Sequence, residues 1–276
     1  MTPVLSVLIP ANNEERYIGA CLKALLSSDP VPGYTVDVIV IANGCNDDTV
    51  GVARRFREMA EGRGWRLRVL DLVEGSKIAA LNAGDEKAIG RLRVYLDADV
   101  IVSPPLLAEL AAALSGRGPR YATGTPEIAP AISLATRLYG RFWLRVPFMR
   151  DGAPGFGIYA VNAEGRSRWP EFPDIISDDT FVRLSFAPRE RVQVRASYRW
   201  PLVEGFGNLV RVRRRQDQGV AQIRQLYPDL MQNDPKPRAD LPALMRSDPL
   251  GFAVYGTVAL MVRLGGLRPG AWTRGR

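Results

Sequence analysis

Asp97-Ala98-Asp99 closes the run Leu92-Arg93-Val94-Tyr95-Leu96, so two carboxylates one residue apart stand where an apolar stretch ends. An apolar run of this length reads as a buried strand, and the tips of such strands are where open α/β sheets bind ligands. Carboxylates spaced i, i+2 on an extended chain point the same way, and a hard divalent cation carrying a diphosphate would neutralise both. The tripeptide also suits a strand-ending turn with solvated acids. A second acidic pair, Asp178-Asp179, follows Ser177 and opens a helical stretch. Ser177 as a cap, with acids in the first turn, accounts for that pattern. The chemical reading gives one of the two carboxylates the task of accepting a proton from a hydroxyl.

Other clusters also sit at the ends of apolar runs. Pro10-Ala11-Asn12-Asn13-Glu14-Glu15 suits a helix N-terminus, and the same loop would serve to hold a nucleoside. In Ala42-Asn43-Gly44-Cys45-Asn46-Asp47-Asp48-Thr49, Asn43-Gly44 is a turn signal and Asn46 or Asp47 a natural cap. Asn43 there also offers an amide to a base such as uracil, a role compatible with capping. Glu74-Gly75-Ser76-Lys77 puts a lysine in the first turn of a helix, where the dipole disfavours a cation unless an anion lies nearby. The spacing of a P-loop is missing. Arg213-Arg214-Arg215-Gln216 reads as a solvated face or a phosphate patch, and a guanidinium there would hold a leaving diphosphate. Gly155-Phe156-Gly157-Ile158-Tyr159-Ala160 fits a dinucleotide fingerprint by letter, but a strand follows it instead of a helix. Small residues that admit an acceptor to the backbone explain it better.

These clusters need a scaffold that brings them to one edge, and the chain alternates accordingly. Strands are expected over residues 4–9, 36–42, 67–72 and 92–96, and helices over 14–27, 47–61, 76–87 and 104–114. Such alternation predicts an α/β fold with a mostly parallel sheet and helices on both faces. Right-handed crossovers then put the loops at Pro10, Asn43 and Asp97 on one edge. Residues 229–242, rich in Pro and Asp, read as an exposed connector.

With 276 residues, 46% hydrophobic and 24% charged, the chain can build a full core. Lys+Arg 37 against Asp+Glu 29 leaves +8, which favours nucleotides, phosphorylated lipids, a membrane surface or nucleic acid as partners. The absence of histidine excludes Ser-His triads, histidine bases and His-ligated zinc. Cys21 and Cys45 match no metal spacing and read as free thiols in a reducing cytosol. The first ten residues carry no signal-peptide pattern. Residues 250–262 form the longest apolar stretch, shorter than the roughly 20 residues of a membrane span. With Arg246, Arg263 and Arg268 at its ends, it reads as a packed helix or as one lying in a membrane interface.

In order and spacing, the two Asn-rich loops, Lys77 with its Ala-Leu-Asn, and Asp97-Ala98-Asp99 resemble family 2 glycosyltransferases of GT-A fold, over about residues 4–220. The resemblance implies a Rossmann-like nucleotide-binding half (residues 1–103), an acceptor-side half (104–220) and a helical C-terminal extension (221–276) open to membrane contact. It implies that Pro10, Asn12, Glu14, Asn43, Lys77 and Asp97 hold the donor, and that Asp99 with Asp97 binds Mn2+ or Mg2+. By register Asp179 matches the family's base and Asp178 its partner. Arg215 keeps a family arginine, although Gln216 replaces the tryptophan after it and Val212 a glutamine before it. Asn43 stands where the family often has Asp. The expected activity is inverting transfer from a nucleotide sugar, a UDP-sugar first, to a hydroxyl of a glycan or lipid-linked acceptor. The expected setting is cytoplasmic, peripheral on the inner membrane face, with no nucleic-acid partner. Two rivals stand beside it. A sugar nucleotidyltransferase normally opens with a Gly-rich phosphate loop, which residues 10–15 lack. A basic nucleic-acid-binding module needs basic and aromatic residues interleaved on one face, whereas here the aromatics scatter.

Overall fold

The strands form where the apolar runs predict them, and the first two reach further toward the site than the runs themselves. The computed structural model describes residues 2–235 and 239–265. The first part of the chain gives β1 (Val4–Ala11), α1 (Glu15–Leu26), β2 (Thr35–Asn43), α2 (Thr49–Arg54), α3 (Arg57–Glu61), β3 (Arg66–Leu72), α4 (Lys77–Lys87) and β4 (Leu92–Leu96). The middle gives β5 (Ile101–Val102), α5 (Leu106–Leu114), β6 (Tyr121–Ile128), α6 (Leu134–Trp143), α7 (Pro147–Asp151) and β7 (Ile158–Asn162). Then come α8 (Ala163–Arg166), α9 (Asp178–Leu184), β8 (Arg191–Trp200), α10 (Phe206–Leu226), α11 (Leu241–Ser247) and α12 (Pro249–Leu264).

The described residues build one eight-stranded sheet in the order β3-β2-β1-β4-β7-β6-β8-β5. The first four strands are parallel, and β7 runs antiparallel between β4 and β6. Every residue of β1 after Val4 is buried, because helices cover both faces of a central parallel strand. Leu5, Val7 and Ile9 pack with Ile18 and Leu22 of α1 on one face. Leu8 packs with Leu81 of α4, Tyr95 and Phe181 of α9 on the other.

The structure departs from the expected boundaries at three points. The helix expected over 47–61 breaks into α2 and α3, because the amides of Arg55 and Phe56 bond three residues back, to Val52 and Ala53, and end the first piece. The 229–242 connector holds a short 3-10 turn, Pro228–Asn233, and the start of α11; residues 236–238 lie outside the described residues. The boundary expected at residue 220 falls inside α10, which runs unbroken to Leu226. Beyond it, α12 packs on α6 and α10, fastened by Arg141, which reaches Asp248 at 2.8 and 2.5 Å. Arg268 lies outside the described residues.

Three polar links fix the elements that carry the site. Asp85 near the end of α4 accepts from Arg93 at 2.6 Å, Tyr95 Oη at 2.8 Å and Arg166 at 2.6 Å, which locks α4 to β4 and α8. Asn82 exchanges two hydrogen bonds with the backbone of Phe172, at 3.1 and 2.7 Å. Gln222 of α10 accepts from Ile176 N at 2.9 Å, so the segment leading into α9 is held from both sides.

Candidate active site

β1 and β2 end side by side, and the loops leaving them brace each other before α1 and α2 begin. Thr49 Oγ1 accepts from Glu14 N at 2.7 Å, while Asp47 accepts from Glu15 N at 3.1 Å and from Thr49 Oγ1 at 2.5 Å. Asp48 takes the N-cap position of α2, one or two residues beyond the expected cap. Asn13 sits at φ 53°, a left-handed conformation that an asparagine tolerates, and its Oδ1 accepts from Asn46 N at 2.5 Å. Gly44 is at φ 55°, and a Cβ there would lie 2.6 Å from Gly75 Cα. Only glycine lets the loops after β2 and β3 touch here.

Asn12 and Asn43 both brace the loops through their amide nitrogens. Asn12 Nδ2 donates to Asn43 O and, at 3.1 Å, to Gly44 O. Asn43 is 2% exposed, and its Nδ2 donates to Ala11 O at 2.9 Å and Ile41 O at 3.3 Å. Both amide nitrogens satisfy backbone carbonyls where the strands splay, which a buried carbonyl requires. They tie loop to loop, and neither residue lines the cleft described next. Pro10 borders a recess of about 20 Å³ beside Lys77, Asp97 and Asp178. Gly155 and Gly157 border the same recess, but their open sides meet the Tyr121 hydroxyl and the Val100 and Trp200 side chains. Both glycines leave room for these close-packed side chains.

Glu14, Lys77, Asp97, Asp99, Asp178, Asp179 and Arg215 come together around a cleft of about 420 Å³. Lys77 is the first residue of α4, whose cap Ser76 accepts from Ala79 N at 3.2 Å. Its Nζ lies 3.1 Å from Asp97 Oδ1 and 3.2 Å from Asp178 Oδ1, so this one ammonium joins the β4 tip to α9. Those anions explain a cation at a helix start. Burial works against the charge of Lys77, but Asp178, Asp97 and Asp179 outweigh it and hold the ammonium above its usual pKa.

The two acids of α9 differ. Asp178 is buried and paired with Lys77. Asp179 lines the cleft, accepts from Thr180 N at 2.7 Å, and is pushed up to about 6 by burial and by the Asp178 carboxylate, against the pull of Lys77. Ser177 holds the N-cap position but its side chain makes no capping bond. Instead it presses on α10, where a Cβ on Gly219 would meet Ser177 Oγ at 2.0 Å. Arg16, Tyr17 and Trp200 also line the cleft, and sequence reasoning missed all three. An Arg-Tyr pair on the first turn of a helix looks like any solvated face.

Among the described residues no group of three or more His, Cys, Asp or Glu is arranged to hold a metal ion alone. Asp97 and Asp99 nevertheless fit a hard cation that takes its remaining ligands from a diphosphate, as Mg2+ commonly does. The charges in the cleft favour it. Five carboxylates (Glu14, Asp97, Asp99, Asp178, Asp179) face three cations (Arg16, Lys77, Arg215). A diphosphate would add more negative charge, and a divalent cation would balance it.

Residues 6–162 match Glycosyl transferase family 2. A dolichyl-phosphate beta-glucosyltransferase of Drosophila melanogaster is 30% identical over 177 residues, covering 56% of this chain and 54% of that protein. The chain spans about half the length of the curated relatives it matches. Among solved structures, the mannosyltransferase PcManGT of Pyrobaculum calidifontis, in complex with GDP-Man and Mn2+, gives a TM-score of 0.61 at 18% identity, over 96% of this chain and 76% of that one. Glucosyl-3-phosphoglycerate synthase of Mycobacterium tuberculosis, in complex with Mn2+, UDP and glucosyl-3-phosphoglycerate, gives 0.54 at 24% identity, over 81% and 79%. These likenesses confirm the GT-A-type fold.

Proposed function

The chain belongs to glycosyl transferase family 2, and from that membership we propose that it moves a sugar from a nucleoside diphosphate donor to an acceptor hydroxyl, with inversion at the anomeric carbon. The observation that carries this reading is the unequal acid pair in the lining of the cleft. Asp178 is tied to Lys77, while Asp179 faces the open space with its pKa near 6, so it is ionised yet still basic near neutrality. Asp179 takes the proton from the acceptor oxygen as that oxygen bonds to the anomeric carbon. The bond from that carbon to the diphosphate breaks on the opposite face, and its electron pair leaves on the diphosphate oxygen. Arg215 meets that departing charge. Asp99 with Asp97 would hold Mn2+ or Mg2+, which when bound neutralises the diphosphate as a Lewis acid.

We take UDP as the donor nucleotide and a glycan or lipid-linked alcohol as the acceptor. Titration calorimetry with UDP, and with GDP in parallel, tests the donor half. Binding is expected to need Mn2+ and to lose that dependence in Asp99→Ala. Equal affinity with and without Mn2+ in the parent protein would sink the assignment of Asp97 and Asp99.

No helix of the described residues is long and apolar enough to cross a membrane. On α12, Leu250 is 65% exposed, Leu260 54% and Leu264 73%, with Arg246 and Arg263 also exposed nearby. We place this face on an anionic membrane surface in the cytoplasm, a compartment that suits two free cysteines. Co-sedimentation with anionic but not neutral vesicles is the expected result, and its absence would leave α12 as a packed helix only.

A further inference from the structure

A second cavity, about 360 Å³, adjoins the cleft and shares Ser177, Asp179 and Gln216 with it. Its walls are largely apolar: Trp143, Phe148, Phe156, Val220 and Tyr255. Among the described residues two arginines reach it, and both are engaged. Arg183, 5% exposed, lies 2.9 Å from Asp234 Oδ1 and 4.9 Å over the ring of Phe148. Arg213 lies 3.0 Å from Asp217 Oδ1 and donates to the Tyr255 hydroxyl at 3.0 Å. Among the described residues, three carboxylates (Asp179 included) and two guanidinium groups line the space.

From this lining we infer that the cavity is the acceptor subsite, and that it takes the uncharged, apolar or aromatic body of an acceptor alcohol whose hydroxyl is presented to Asp179. The inference rests on the transferase reading above and narrows it. A body of that kind removes the aromatic walls from water and asks nothing of the paired arginines. A phosphate in the same place would meet three carboxylates, and the two described arginines would have to leave Asp234 or Asp217 to hold it. The cleft next door has the opposite need, because its donor is a diphosphate. The two cavities therefore sort their ligands by charge.

Trp143 in the wall gives a readout that does not depend on turnover. The full chain, with UDP and Mn2+ present, is titrated with octyl glucoside below its micelle concentration and with octyl phosphate, following tryptophan emission. The uncharged probe should saturate the signal and bind about tenfold or more tightly than the phosphate. Trp143→Phe should remove the signal, and Val220→Phe, which fills the cavity, should weaken the probe by a similar factor while the UDP-induced rise in melting temperature shows the variant to be folded. Asp179→Asn should keep probe binding while transfer falls. Equal or tighter binding of octyl phosphate would overturn the charge argument. A signal that survives both Trp143→Phe and Val220→Phe would overturn the location. Should neither UDP nor GDP bind with Mn2+ while the glucoside still binds, the transferase reading falls and the acceptor role falls with it.

Discussion

The two sides of Asp179 are built by different means. On the donor side, polar residues sit at the tips of buried parallel strands, and short hydrogen bonds between neighbouring loops hold them there. On the other side the wall is made of side chains from far-separated elements: Trp143 ends α6, Phe148 is on α7, Val220 on α10 and Tyr255 on α12. These pack through ring contacts, among them Phe156 on Trp200 at 5.5 Å and Tyr139 on Tyr255 at 5.2 Å. Backbone bracing leaves the donor side little room to vary. Side-chain packing on the acceptor side allows substitution of about equal volume at modest loss. A change of acceptor thus needs no change in how the donor is held.

The sharpest way to break this comparison is at the residue both sides share. Asp179→Asn keeps the size of the side chain and removes its basicity, so transfer should fall by about 10²–10⁴ while UDP binding persists. The same change should raise the melting temperature at pH 8. The sign follows from a pKa raised to about 6: the ionised acid weakens the fold above that pH, and its protonated form does not. The gain should therefore vanish as the pH falls from about 6 toward the ordinary carboxylate range. Normal turnover in Asp179→Asn would mean that Ser177-Asp178-Asp179 merely starts a helix.

A smaller effect separates bracing from base recognition on the donor side. Asn43→Ala strips two buried hydrogen bonds and leaves the Ala11 carbonyl without that donor, a loss of about 1–3 kcal/mol in stability. Thermal or urea unfolding of the nucleotide-free protein measures it directly. If the variant instead melts like the parent but binds UDP more weakly, Asn43 reads the base after all and the bracing account is wrong.

How much of this was legible in the sequence follows the same division. Asp97, Asp99, Lys77, Asp178 and Asp179 could be read because each lies in a short contiguous motif where an element begins or ends, and Arg215 because it lies in a run of arginines. The topology then only had to bring those ends to one edge. The bracing by Asn12 and Asn43 could not be read, because an amide's partner depends on which carbonyl from another strand lies beside it. The break between α2 and α3 was invisible for a related reason, since periodicity continues across a turn that merely tightens. The apolar cavity left no local trace: its residues are scattered from 143 to 255, and each alone looks like core. Only Gly219 hinted at a close approach on α10.

The finest test concerns the electrostatics that make Asp179 different from Asp178. Transfer needs the Asp179 carboxylate, so the rate should decline as pH falls through about 6. Burial and the Asp178 charge both raise that value, while Lys77 lowers it. Asp178→Asn removes one raising charge and leaves Lys77 without one of its two close carboxylates, so both consequences move the acid limb to lower pH. Lys77→Met removes the opposing cation and should move the limb to higher pH. The measurement is the pH profile of kcat/KM for the parent and the two variants, each at saturating Mn2+. Opposite shifts would show that a charge triad tunes Asp179. Shifts in the same direction would place the titrating group elsewhere, and the distinction drawn here between the two acids of α9 would fail.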